Sequence, residues 1–232
     1  MRSPQAASTT APASRTVTVW DAPTRIFHWA LVLCLAGSWW TAENDDWETH
    51  LLFGYGVLGL VAFRLIWGLL GSETARFRHF LKGPGAALSH LRGLVLPGPL
   101  APEAGHNPAG GYAVALILLL LALQVGTGLF LSGGDIFLIE APLSGAVSSD
   151  TTDTLEWLHE TNFNLLLALA GLHVVAVLGY WGLKRANLIR PMLTGRMELP
   201  ADARPPRIAS SLLALMVAGG VALSVWAFVT FV

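Results

Sequence analysis

Apolar residues in this chain gather into long unbroken runs rather than the short periodic stripes of a soluble core. Five runs qualify as helices spanning a bilayer, roughly 22–42, 47–70, 111–132, 155–183 and 208–231. Each is near or above the roughly 20 residues that a helix needs to cross about 30 Å of hydrocarbon. Polar residues with capping chemistry mark where the runs begin. Asp21 precedes "APTRIFHW", Asp45 and Asp46 precede "WETHLLFG", and Asp153 precedes Glu156 in capping-box spacing. Gly110 and Gly111 open the third run. Between the second and third runs, "RFRHFLKGPGAALSHLRGL" is basic and partly amphipathic, the pattern of a helix lying along a membrane surface. Residues 1–18 are small, polar and proline-containing, lack the apolar core of a signal peptide, and read as a disordered tail.

Composition agrees with the pattern. The chain is 53% apolar and 12% charged, where a soluble domain carries about a quarter charged residues. The charges themselves add a direction. Arg2, Arg15 and Arg25 precede the first run; Arg76, Arg78, Lys82 and Arg92 lie between the second and third; Lys184, Arg185, Arg190, Arg196, Arg204 and Arg207 follow the fourth. The segments 43–49 and 133–156 hold no Lys or Arg. All basic residues except Arg64, which sits inside the second run, therefore fall on one side, and the positive-inside rule makes that side the cytoplasm. The N-terminus is expected inside and, with five spans, the C-terminus in the periplasm. The opposite loops carry Glu43, Asp45, Asp46, Glu48, Asp135, Glu140, Asp150, Asp153 and Glu156. Two explanations stand level: topology excluding bases and leaving acids behind, or an acidic face that steers a basic soluble partner.

Histidines carry the candidate chemistry. His159 and His173 stand fourteen residues apart in "LHETNFNLLLALAGLHV", which is about 21 Å along a helix and within about 40° of whole turns. Such a spacing serves two sites stacked across the membrane; one metal chelated by a single helix needs i, i+3 or i+4. His28 lies about two turns into the first run and His50 about one turn into the second, from opposite sides. Depth then pairs His28 with His173 at the inner level and His50 with His159 at the outer. A hydrogen-bonded polar residue at a helix end explains any one of these singly; four at two matched depths ask for more, since ionisable groups inside a membrane are costly. Two nitrogen ligands per site, without thiolates or carboxylate clusters, suit haem iron better than zinc, which takes four ligands in a tetrahedral cage. The single cysteine, Cys34, lies in an apolar run and no C-x-x-C-H motif is present, so the haem is expected to be non-covalent. Gly54, Gly56, Gly59, Ala168, Ala170 and Gly171 offer room for flat macrocycles, or equally for close helix packing. Arg64 is a candidate for a haem propionate, a quinone oxygen or plain snorkelling, and Gln124 for contact with the outer haem. His79, His90 and His106 are expected in solvent.

The segments "VWDAPTRIFHW", "FRLIWGLLGSETARFRHFLKGP", "GHNPAGGYAVALILLLLALQVGTGLF", "HETNFNLLLALAGLHVV" and "NLIRPMLTGR" resemble, in order and over roughly residues 17–197, the bacterial cytochrome b561/nickel-hydrogenase b-type cytochrome family. The resemblance implies a four-helix membrane cytochrome with two b haems that passes electrons between the quinone pool and a periplasmic-side partner. It further implies axial ligands on the first, second and twice on the fourth helix, at positions matching His28, His50, His159 and His173. The run 208–231 goes beyond the family's shorter members, carries no histidine or charge, and is expected to be peripheral or to contact a partner subunit.

The expected fold is thus all-α: an integral membrane four-helix haem-binding bundle plus a fifth C-terminal transmembrane helix. Its parts are a tail 1–18, a cytochrome-like domain 19–197 and a linker with the fifth helix 198–232. The expected function is electron transfer across the cytoplasmic (inner) membrane, with two haem b, quinone as redox substrate, and a c-type cytochrome or a dehydrogenase or hydrogenase subunit outside. The quinone is expected near Arg64 or the 76–92 loop. An electron carrier or membrane subunit is expected rather than a stand-alone enzyme, and no nucleic acid. Two other readings are a superoxide:quinone oxidoreductase, which some family members resemble but an acidic outer face should repel, and a haem-free membrane anchor or transporter.

Overall fold

A computed structural model describes residues 14–95, 103–132 and 140–232. Its framework is five long helices: α1 (Ala22–Ala42), α2 (Trp47–Leu70), α5 (Pro108–Gly128), α6 (Ser149–Lys184) and α8 (Ser211–Phe231). Shorter α3 (Phe77–Phe80) and α4 (Pro84–Val95) lie between α2 and α5, and α7 (Ile189–Thr194) follows α6. α2, α5, α6 and α8 are long and apolar enough to cross a membrane. α1 forms where the first run predicts it but falls outside that set; Thr24, Arg25, His28, Ser38 and Thr41 dilute its apolar character.

Two of the three predicted capping sites start their helices, and the third run, expected to open at Gly110 and Gly111, starts instead at Pro108 behind Asn107. Asp21 accepts from Thr24 N at 2.7 Å, Asp46 from Thr49 N at 3.2 Å and Asn107 from Gly110 N at 2.8 Å, each satisfying an orphan backbone donor. Pro108, whose ring cannot donate, sits at the first turn where no donor is needed. The remaining predicted cap differs: α6 begins at Ser149, so Asp153 and Glu156 lie within its first turns instead of capping it.

α1 packs on α2, α2 on α5, and α5 on α6, with α8 laid against α2. The core threads these contacts through Phe27, Leu31, Val57, Val61, Trp67, Leu118, Leu121 and Leu166. On the outer side of α2 a Cβ at Gly59 would sit 3.9 Å from Val225 of α8, ordinary contact distance, so this glycine marks the α2–α8 seam. α8 is peripheral, its Leu212, Leu215, Leu223 and Trp226 exposed.

The tail expected over 1–18 is corrected in its described part. Ser14–Thr18 is a strand, β1, paired antiparallel with β2 (Arg196–Pro200) from Ser14↔Pro200 to Thr18↔Arg196. Its physical reason is a partner strand at the far end of the chain, Arg196–Pro200, which local polarity cannot reveal. The ribbon continues as Val19 N and Trp20 N both donate to Gly195 O, at 2.8 and 3.1 Å. Gly195 holds φ +79°, and a Cβ there would lie 2.7 Å from Trp20 O, so only glycine fits without strain. The same end is stapled to the segment before α8: Glu73 N donates to Arg207 O and Arg207 N to Glu73 Oε2, both at 2.9 Å. That backbone donor holds the Glu73 carboxyl below its ordinary range. We call this the basic end and the α1–α2 and α5–α6 turns the acidic end.

Candidate functional site

Two pairs of imidazoles face each other, each with one member on α6. His28 of α1 and His173 have ring centroids 6.3 Å apart, toward the basic end. His50 of α2 and His159 are 6.4 Å apart, toward the acidic end. Imidazoles bound to one metal from opposite sides, with about 2 Å to each nitrogen, hold their centroids about 6 Å apart. Each gap therefore has the width that one metal ion between two imidazoles would need. Among the described residues no cluster of three or more His, Cys, Asp or Glu side chains is placed to hold a metal. An ion in either gap must bring its own equatorial ligands, which a haem does and zinc does not.

The acidic-end pair is oriented by fixed partners. His50 Nδ1 lies 2.8 Å from the Ser38 carbonyl oxygen, which only accepts, so the ring proton sits on Nδ1 and Nε2 keeps its lone pair. His159 Nδ1 lies 3.0 Å from Thr127 Oγ1. The Thr127 hydroxyl is itself 2.9 Å from the Leu123 and Gln124 carbonyls; its one proton goes there, and it accepts from His159. Both Nε2 atoms are left free, the arrangement by which a second partner orients a metal-binding imidazole and raises its basicity. A cavity of about 930 Å³ lies against both rings, with Gly54, Gln124, Gly128 and Phe163 among its walls. A Cβ at Gly54 would meet nothing within 4 Å, whereas one at Gly128 would lie 2.9 Å from His159 Cε1. Gly54 thus leaves open space and Gly128 makes room for the histidine itself. Gln124 is turned to Asn162, whose Nδ2 donates to Gln124 Oε1 at 2.6 Å and to Leu120 O at 2.9 Å.

The basic-end pair is built differently. His28 Nδ1 is buried without a hydrogen-bond partner. Arg64 stands fourteen residues beyond His50 on α2, the same step that separates His159 from His173, so α2 delivers Arg64 to the level where α6 delivers His173. Arg64 is 2% exposed, which rules out snorkelling. Its guanidinium lies over Phe77 and Phe80, 5.1 and 5.8 Å from the ring centroids. Both terminal nitrogens lack a hydrogen-bond partner. The carboxylate that acts on it, Asp21, is already committed to Thr24 N and to Trp67 Nε1 at 3.0 Å. A buried cation costs several kcal/mol of desolvation unless an anion answers it, so Arg64 has the character of half of a pair.

Two inner-loop histidines expected in solvent are half-buried and engaged with other elements. His106 packs against Trp20 and Phe80, at 4.6 and 4.7 Å between centroids. Burial, then the Arg64 charge, pushes its pKa down to about 3, so it is neutral at physiological pH. His90 Nε2 bonds the Tyr180 hydroxyl at 2.8 Å and ties α4 to α6. His79 is the exposed one, 3.9 Å from Glu73. Ser38, Thr127, Gly128 and Asn162 were not singled out by sequence. Asn162 had a signal, one turn from His159 on the same face; Ser38 and Thr127 act across helices and had none.

A membrane helical bundle carrying paired imidazoles at two levels has the architecture of a b-type cytochrome. The prokaryotic cytochrome b561 family model matches residues 19–195, and the chain belongs to that family of haem-binding electron-transfer proteins. No curated protein and no solved structure matches the chain.

Proposed function

We propose that the protein is a di-haem cytochrome that carries electrons across the cytoplasmic membrane between quinone at the basic end and a redox protein at the acidic end. The observation that carries this reading is the pair of imidazole gaps, 6.3 and 6.4 Å, stacked along α6. His28 and His173 hold one haem b, His50 and His159 the other. Each haem supplies a one-electron couple, and two axial imidazoles favour electron transfer over oxygen binding. The protein's work is to position, orient and exclude water. Ser38 and Thr127 fix the acidic-end rings with Nε2 unprotonated. Arg64 answers a propionate carboxylate at the basic end: its full charge at 2% exposure calls for an anion rather than a neutral quinone oxygen.

The basic residues gathered at one end support a cytoplasmic N-terminus and, with five spans, a periplasmic C-terminus. Glu43, Asp45, Glu156 and Glu160 line the acidic-end cavity, which suits a basic soluble partner such as a c-type cytochrome, or an oxidoreductase subunit, and disfavours anionic superoxide. The test is the haem stoichiometry of His→Ala variants. Loss of one haem on replacing His173 and of the other on replacing His159, in folded protein, is the expected result. Loss of neither overturns the assignment.

A further inference from the structure

The α5–α6 contact is stitched by polar groups in an otherwise apolar pair of helices. Leu120, Gln124 and Thr127 follow one another by four and three residues on α5, and His159, Asn162 and Leu166 by three and four on α6, so each set occupies one helix face. The Thr127 hydroxyl meets His159 Nδ1 at 3.0 Å. One turn deeper, Asn162 Nδ2 donates to Leu120 O at 2.9 Å and to Gln124 Oε1 at 2.6 Å. The Leu120 carbonyl only accepts, so the amide of Asn162 has one orientation. Its Oδ1 then stays buried without a hydrogen-bond partner, on a residue 1% exposed. A buried acceptor left unbonded lowers stability, and an apolar side chain in its place would not. Asn164, two residues on, shows the ordinary arrangement, its Nδ2 bonded to Glu160 O of its own helix. Asn162 instead commits its donors to α5, one turn from a histidine.

We infer that Asn162 is a positioning residue: its two bonds fix where α5 lies along α6, and so bring Thr127 against His159. Apolar helix faces in lipid have little preference among sliding positions; interhelical hydrogen bonds and close approach at small residues supply one. A slide of one turn, about 5.4 Å, would carry Thr127 away from His159. In the register that Asn162 holds, the residue beside the ring is Gly128, where a Cβ would lie 2.9 Å from His159 Cε1. The contact with Thr127 then orients the ring, whose plane stands 65° from that of His50. The spectroscopic consequence rests on the di-haem reading above; the seam itself does not.

Ferric EPR of the purified, haem-loaded full chain tests the inference, because the signal of a bis-imidazole haem follows the angle between its two ring planes. The acidic-end signal is the one lost in His159→Ala. In Asn162→Leu that signal should move, and transfer of the acidic-end haem to apo-globin should quicken by roughly 10-fold, with the basic-end signal unchanged. Leu166→Ala is the control for a purely structural role. It removes buried packing one turn further along the same face, and should lower the melting temperature without moving the signal. Gln124→Leu, which leaves the bond to Leu120 in place, should move the signal in the same direction by less. An acidic-end signal unmoved in folded Asn162→Leu, or moved as far by Leu166→Ala, overturns the inference. Should Asn162→Leu not fold, an unmoved signal in Gln124→Leu overturns it. The haem-depleted chain gives a measure that needs no cofactor. There the melting shifts of Asn162→Leu and Thr127→Val should be non-additive, as for groups in one network; additive shifts overturn the seam. Wild-type protein without a His159-dependent signal counts against the di-haem reading, and the melting cycle still decides the seam.

Discussion

The two histidine pairs have nearly the same separation, 6.4 Å at the acidic end and 6.3 Å at the basic end, yet they are held by different means. At the acidic end both rings are fixed by hydrogen bonds to oxygens on neighbouring backbone or hydroxyl groups, and a large cavity opens against them. At the basic end His28 has no such support, and Arg64, at the same level on α2, is a buried charge over Phe77 and Phe80 without a hydrogen-bond partner. One pair is held by its own chain; the other leaves His28 Nδ1 and the Arg64 guanidinium without hydrogen-bond partners. The same spacing along α6 thus serves two pairs with different surroundings.

The coarsest way to break the comparison is to delete a ligand. His159→Ala should cost the acidic-end haem and leave the other, halving the pyridine haemochrome yield per chain; loss of both would mean that the pairs are not independent. Next is Arg64→Leu. Removing one member of a buried ion pair typically costs about 3–5 kcal/mol, so the basic-end haem should be lost on washing in detergent while the acidic-end haem stays. Equal retention at both ends would show that Arg64 answers no propionate. Thr127→Val keeps the shape and removes the acceptor for His159 Nδ1. Loss of such a supporting partner weakens metal binding by about 10–100-fold, and haem transfer to an apo-globin should report that drop at the acidic end only.

The smallest effect expected concerns pH. His106 titrates at 6.5 when unfolded and at about 3 when folded, so between those values the unfolded chain binds the extra proton. Stability then rises with pH and falls as pH drops from about 6.5 toward 3. His106→Phe, which keeps contact with Trp20 and Phe80, should remove about 1.4 kcal/mol of acid destabilisation at pH 5.5. The check is thermal melting in detergent at pH 7.5 and 5.5: the variant's difference between the two should be the smaller one.

How much was legible beforehand follows from the range of each signal. The helices and the pairing of the four histidines rest on local hydropathy and on depth, both readable along the chain, and the structure brings the rings of the same residues within 6.3 and 6.4 Å in pairs. Burial of His106 and the β1–β2 ribbon depend on contacts far apart in sequence. His106 follows a basic loop and precedes a helix cap, a setting that reads as solvent until Trp20 and Phe80 close over it. β1 is polar and short because it serves as one edge of a two-stranded ribbon with no buried face of its own. Thr127 shows the same limit at the site. Its neighbours "GTG" announce flexibility or packing, and only the position of α6 reveals a hydroxyl beneath an imidazole.

The central claim is that each pair holds its own haem. The measurement that tests it most directly is the haem b content per polypeptide of the purified wild-type protein, by pyridine haemochrome spectrum, after expression with ample haem. About two per chain is the predicted result, one for each bis-imidazole site. A colourless protein would contradict the account and leave the four histidines as structural polar groups.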